Sequence, residues 1–296
     1  MPNHYPLILA HGIARFDVIT ESMARRWKMT LWDMSRVFDR LHYFKGLQSF
    51  LRGQGFETYA TTVGFADVVD TRAGQLAEQI KTILAQTGHA KVHIIGHSMG
   101  GLDGRQAIVD KGLAAHVASL TTIGTPHLGT SLAEVGLGLG GVQAIEALRP
   151  YLDLGGFRNL PRDVRRAFNE RARHAEATNE VIYQVYASAQ APPHLFRPLH
   201  LAWQILHNLE GENDGLVPVT SQLWQNELVS NGGRVKPIRQ RHFPFPADHL
   251  NQTGWWDLEE LAGLRFWLRE ARRQKQDFEA RVKAVYLQIA HDVQAL

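Results

Sequence analysis

Apolar positions recur along the chain in two rhythms. Tyr5–Ala10 is a short, continuous apolar run ending at His11-Gly12, which reads as a buried parallel strand delivering a loop at its C-terminal end. A helix around Phe44–Arg52 stops at Gly53, and Phe56–Val63 then alternates and is rich in threonine and aromatic residues, as a second strand should be. Thr71–Ala85 carries Leu76, Ile80, Ile83 and Leu84 at helical spacing, Gly88 follows its end, and Val92–Ile95 is strongly β-prone. A helix over Met99–Lys111 comes next, Val117–Ile123 and Val181–Ala187 repeat the strand signature, and a short strand is expected near Val235–Arg239. Strands separated by helix-length segments predict an α/β fold whose central sheet, of about six mostly parallel strands, is covered by helices on both faces.

Two regions break this rhythm. The segment from Thr130 to the strand at Val181 is far longer than an ordinary connection and reads as an insertion. Val135–Val142 is apolar and glycine-rich, whereas Arg162–Glu180 is charged and helix-prone. That mixture suits a mobile helical cap, or lid, over a site, with a decorating helical hairpin as the alternative. The expected organisation is thus a core of residues 1–130 and 181–296, with the cap in 131–180 inside the same domain. Pro192–Asn208 is the second irregular region and its role is not readable. From Leu258 the pattern is helical through Phe266 and Leu268, then basic near Arg272–Lys275, which reads as a helix packed on the sheet followed by a solvated amphipathic segment.

With 296 residues, 44% of them hydrophobic, the chain can bury the core of one large α/β domain. Its 32 basic and 29 acidic residues leave a formal charge of +3, too small a surplus to suggest nucleic acid as a partner. The absence of cysteine excludes disulfides, thiolate metal ligands and a cysteine nucleophile. No stretch is long and apolar enough for an integral membrane span. The first residues lack a basic segment and a long apolar one, so no signal peptide is visible and a cytoplasmic location is expected, secretion requiring a leader already removed. Oligomeric state is not addressed by these features.

Chemistry enters at Gly96-His97-Ser98-Met99-Gly100, a G-x-S-x-G pattern directly between a predicted strand and a predicted helix. In that context the serine occupies a strained turn that lifts its hydroxyl above the sheet edge, and the flanking glycines let the backbones pass. A serine hydroxyl needs a base, and the base needs a carboxylate to fix its tautomer, in the chain order Ser, acid, His. Asp214, in Glu212-Asn213-Asp214-Gly215, and His249, in Asp248-His249-Leu250, satisfy that order. Asn-Asp-Gly is also a plain turn signal, and Glu212 and Asp248 remain reserve acids. Two backbone N–H groups should bind the oxyanion, Met99 after the nucleophile and Ile13 from the early loop, with the His11-Gly12 turn aiming the Ile13 amide. Among the 15 histidines, His11 is expected to support that loop, His97 to pack beside the nucleophile, and His127 to line the site wall.

Taken in order, LILAHGIARFD, VHIIGHSMGGLDGR, IGTPHLGTSLA, ENDGLVPVTS and ADHLNQTG resemble the bacterial triacylglycerol lipase and carboxylesterase family of the α/β-hydrolase superfamily. The resemblance implies the α/β-hydrolase fold, with Ser98, Asp214 and His249 as the catalytic triad, Ile13 and Met99 as the oxyanion hole with His11, Gly12, His97 and Gly100 in support, and a lid-bearing insertion after Gly129. It implies an ester or lipid substrate cleaved through an acyl-enzyme, with interfacial contact through the cap. An acyltransferase on the same scaffold, an amidase or thioesterase, and a non-catalytic binding module are the alternatives. Many relatives hold a structural calcium through an aspartate two residues after the histidine. Here that position is Asn251, and no acidic partner lies between Ala187 and Leu209, so no obligatory calcium and no other metal or cofactor is expected.

Overall fold

Leu7 and Leu9 face one side of the first strand and Ile8 and Ala10 the other, as a period of two requires, and each pair joins a different hydrophobic layer. That division organises the molecule. The structure, a computed structural model, describes residues 4–12, 43–64, 67–137, 158–255 and 269–296. Among them, strands β1 (Leu7–Ala10), β2 (Thr58–Ala60), β3 (Val92–His97), β4 (Val117–Ile123) and β5 (Ile182–Ala187) form one parallel sheet with a further strand at Arg239–His242. Helices α1 (Leu47–Gly53), α2 (Val69–Thr87) and α3 (Met99–Asp110) alternate with the early strands. Leu47 and Leu51 of α1 fill the layer against Leu7 and Leu9, while Leu76 and Ile80 of α2 and Ile108 of α3 fill the layer against Ile8 and Ile94.

The sheet order places β1 between β2 and β3, and all later strands lie on the β3 side. The chain therefore changes direction across the sheet at β1 and β3, and the loops leaving their C-terminal ends lie side by side, Ala10 in register with Gly96. A crevice outside such a switch point is where parallel sheets place ligand sites.

Several expectations need correction or refinement. The alternating run Phe56–Val63 contributes only three paired residues, Thr58–Ala60, bounded by the Leu7 N–H on the Glu57 carbonyl and the Thr61 N–H on the Leu9 carbonyl. Arg162–Glu180, read as part of a cap, forms helix α5 (Arg162–Thr178) after the short α4 (Ser131–Leu137). Phe168, Ala172 and Ala177 of α5 are buried, and Glu176 makes a fully buried bidentate ion pair with Arg105 of α3. This half is body, fixed to the sheet's helical layer, while residues 138–157 of the expected cap lie outside the described residues. Pro192–Asn208 holds two short 3₁₀ turns and helix α6 (His200–Glu210), followed by α7 (Val219–Leu223).

The short strand expected near Val235–Arg239 is present as two separate strands, only the second of which joins the main sheet. Val235–Pro237 (β7) pairs antiparallel with Glu227–Val229 (β6), and β8 (Arg239–His242) joins β5 as the sheet's final described strand. Its four residues are all exposed, so no apolar pattern announces it. The expected helix from Leu258 to Leu268 falls outside the described residues. The segment expected to be solvated opens α8 (Arg269–Gln294) with Arg273, Gln274 and Asp277 exposed, but farther along that helix Phe278, Val282, Val285, Tyr286, Ile289 and Val293 are buried in the core. Among the described residues no helix is long and apolar enough to cross a membrane.

Candidate active site

Ser98 joins β3 to α3 with φ 55° and ψ −128°, a conformation that costs a side-chain-bearing residue of order 1–3 kcal/mol. Its surroundings hold it there. Its N–H donates to the Ile123 carbonyl at 2.9 Å, and its own carbonyl accepts the Gly101 N–H at 3.1 Å and the Thr125 hydroxyl at 2.8 Å. The glycines of the motif are spatial necessities. A Cβ on Gly96 would stand 2.7 Å from the Gly101 Cα, and one on Gly100 would run into the Ala10 carbonyl. Met99, the first residue of α3, has one of the N–H groups that a helix leaves without an internal partner.

Gly12 lies across from the serine. A Cβ added to it would come within 3.1 Å of Ser98 Oγ and 2.5 Å of the Tyr43 hydroxyl. Its loop is clamped by His11, whose Nε2 accepts the Val63 N–H at 3.1 Å, leaving Nδ1 as the donor to the Gly12 carbonyl at 2.8 Å. Arg72 adds a donor to the His11 carbonyl at 2.8 Å while pairing with Asp103 of α3. Ile13, the expected second oxyanion donor, lies outside the described residues.

Asp214 sits in the turn that the Asn-Asp-Gly sequence predicts, and the turn and acid readings coexist in one carboxylate. Oδ1 accepts the Leu216 and Val217 N–H groups at 3.0 and 2.8 Å, while Oδ2 accepts the His249 Nδ1–H at 2.8 Å. A second tie runs from the His249 N–H to the Asp214 carbonyl at 2.9 Å. Since the carboxylate accepts at Nδ1, a neutral His249 presents a bare lone pair at Nε2. The His249 ring lies 4.6 Å, centroid to centroid, from that of His97, the residue preceding Ser98. Ser98, His249 and Asp214 are thus gathered from β3, the loop after β8 and the loop after α6, and all three are buried.

The reserve acids are placed elsewhere. Asp248 spends Oδ1 on the Leu250 and Asn251 N–H groups and Oδ2 on the Phe196 N–H, and burial raises it from the ordinary 3.8 to about 6. Glu212 makes no described hydrogen bond to His249. His127 is no site wall: it stacks on Trp224 at 4.7 Å, contacts Arg105, and is held neutral by burial, its pKa well below the ordinary 6.5. His97 packs with Nδ1 2.6 Å from the Tyr43 hydroxyl and Nε2 2.9 Å from Gln252 Oε1, and burial holds it well below 6.5 as well.

The donors near His249 do not suit calcium, which takes several oxygen ligands with carboxylate charge among them. Asn251 Oδ1 accepts the Asp248 N–H and its Nδ2 donates to the Trp255 carbonyl, and both Asp248 oxygens are already committed to N–H groups. Among the described residues no group of three or more His, Asp or Glu side chains could hold a metal.

Four contributors escaped the sequence reading. Gln252 lies in a short 3₁₀ turn three residues after His249 and carries no motif of its own. Tyr43 comes from a distant loop with nothing to mark it. Arg72 and Asp103 did leave a signal, since each is a charge on the core-facing side of a helix.

Residues 21–139 match a family model described as alpha/beta hydrolase fold. A triacylglycerol lipase of Pseudarthrobacter phenanthrenivorans is 40% identical over 134 residues, which is 44% of this chain and 35% of that protein. The match therefore spans about a third of that relative's length. Triacylglycerol lipase 2 of Saccharomyces cerevisiae is 26% identical over 99% of this chain and 92% of its own. The crystal structure of the mature Bacillus licheniformis lipase BlEst2 superposes with a TM-score of 0.58 at 17% identity, covering 84% of this chain and 86% of that one.

Proposed function

We propose that this chain, which matches an α/β-hydrolase fold family model over residues 21–139, is a serine carboxylic ester hydrolase acting on acyl esters, lipids among them. The observation that carries this reading is the Asp214–His249 hydrogen bond beside the strained Ser98 turn. The relatives named as triacylglycerol lipases support it.

In the proposed reaction, Ser98 Oγ adds to the ester carbonyl carbon while its proton passes to His249 Nε2. Asp214, acceptor at Nδ1, holds the ring in the productive tautomer and stabilises the imidazolium. The carbonyl oxygen becomes an oxyanion facing the Met99 N–H at the start of α3, with the Ile13 N–H as its proposed second donor. Collapse expels the alcohol, which takes the proton from His249, and leaves an acyl-Ser98. Water then attacks with His249 again as base, releasing the acid and free Ser98. No step needs a metal. A role in contact with lipid is assigned to residues 135–142 from their apolar, glycine-rich sequence.

Hydrolysis of p-nitrophenyl esters of graded acyl length, by wild type and Ser98→Ala, with and without chelator, tests this reading. Turnover by wild type alone, unaffected by chelator, is the expected result. Equal inactivity of both proteins across the series would sink it and favour an acyltransferase, an amidase or a binding module.

A further inference from the structure

Gln252 is fully buried behind the acid, and its neighbours fix which way its amide points. A carboxylate has no proton to give, so the atom 2.9 Å from Asp214 Oδ2 is the amide nitrogen, Nε2. Oε1 therefore faces His97 Nε2 at 2.9 Å, and that ring nitrogen must carry the proton. In neutral His97 the other nitrogen, Nδ1, is then a lone pair, so the Tyr43 hydroxyl 2.6 Å away is the donor. The second amide hydrogen of Gln252 goes to Ser188 Oγ at 2.7 Å, and Ser188 donates onward to the Ala247 carbonyl at 2.8 Å. Burial keeps His97 uncharged and supports this assignment. Every donor in the chain Tyr43, His97, Gln252, Asp214 points the same way, and it begins beside Gly12 and ends on the oxygen that binds His249.

Resting on the reading of Asp214 and His249 as acid and base, we propose that Gln252 is a positioning residue, locked in one amide orientation by Tyr43 and His97, that holds the Asp214 carboxylate and tempers its pull on His249. The physical ground is that Oδ2 is shared. An N–H donated by Gln252 draws charge from the same oxygen that stabilises a protonated His249, so the imidazole gives up its proton at a lower pH than an unshared carboxylate would allow. The described titratable groups around His249 are Asp214, His97 and the adjacent Asp248, with Tyr43 and Tyr286 behind them.

The test uses the full chain with Gln252→Met, which keeps length but neither donates nor accepts as an amide does, and Tyr43→Phe, which lets His97 and then the Gln252 amide turn over. Two readouts are taken: ester turnover against pH, and the titration of the His249 Nδ1–H proton resonance in the free protein by NMR. Gln252→Met is expected to lower kcat about tenfold with KM little changed. The acid limb of kcat/KM and the His249 titration should both move up by roughly half a unit to one unit. Tyr43→Phe should move the titration in the same direction by less, and it carries the test alone if Gln252→Met does not fold. A titration that stays in place, whatever happens to kcat, overturns the proposal and leaves Gln252 a structural residue. If wild type hydrolyses no ester yet the titration moves, the positioning inference stands and the proposed activity falls.

Discussion

Arg72 donates to both oxygens of Asp103 and, through the same guanidinium, to the main-chain carbonyl of His11. One buried cation thus fastens α2, the helix behind the serine and the loop facing it. Arg72→Leu strands the Asp103 charge in the core and should destabilise the fold by about 3–5 kcal/mol. Arg72→Leu combined with Asp103→Leu should recover most of that stability but not full activity, because the His11 carbonyl still lacks its donor. Urea unfolding beside ester turnover checks both halves; a single variant as stable as wild type refutes the first.

Asp214→Asn has a predictable orientation. Its oxygen stays on the two fixed backbone N–H groups of Leu216 and Val217, so its amide nitrogen replaces Oδ2, facing His249 Nδ1 and setting donor against donor at the Gln252 amide. That donor forces the histidine into the tautomer that protonates Nε2, and kcat should fall by roughly 10³–10⁴ with the fold retained. Steady-state kinetics with a thermal melt as control decides the matter, and a loss below tenfold counts against Asp214 as the acid.

Ser98 pays for its place in backbone strain, and glycine does not. Ser98→Gly should raise the unfolding free energy by about 1 kcal/mol while abolishing activity, whereas Ser98→Ala, which keeps the Cβ, should abolish activity without that gain. Differential scanning calorimetry of the three proteins distinguishes them; equal melting of the glycine and alanine variants would argue against stored strain.

His93, in β3, is buried with Nδ1 2.8 Å from the Ser119 hydroxyl, and burial lowers it from 6.5 to about 4. Between those values the unfolded chain takes up a proton that the native protein refuses, so stability falls as pH drops from 6.5 toward 4 and rises in the opposite direction. The loss attributable to this group reaches up to roughly 3 kcal/mol at the acid end. Denaturation midpoints across that window, compared between wild type and His93→Gln, should show a shallower slope in the variant.

Much of the fold, and the turns that carry Ser98 and Asp214, are legible in the sequence, because each leaves a local mark. Val92–Ile95 is apolar, the glycines around Ser98 are spaced by what the turn excludes, and Asp214 lies in a turn dipeptide. What is not legible depends on distant partners. Arg162–Glu180 is so charged that it reads as part of a mobile cap, yet Arg165 and Glu176 are buried and Glu176 answers Arg105 from another helix. Gln252 acquires its meaning only when Asp214, His97 and Ser188 converge on its amide. Strand β8 is specified by backbone pairing with β5 rather than by its side chains.

That last strand has a consequence for how molecules meet one another. An open row of backbone donors and acceptors invites a second chain to add a strand and so to start aggregates. Among the described residues this margin of the sheet carries Arg239 and Arg241, both exposed and both cationic. Two such edges repel, so high salt or neutralisation of the two arginines should be the conditions under which copies begin to stick.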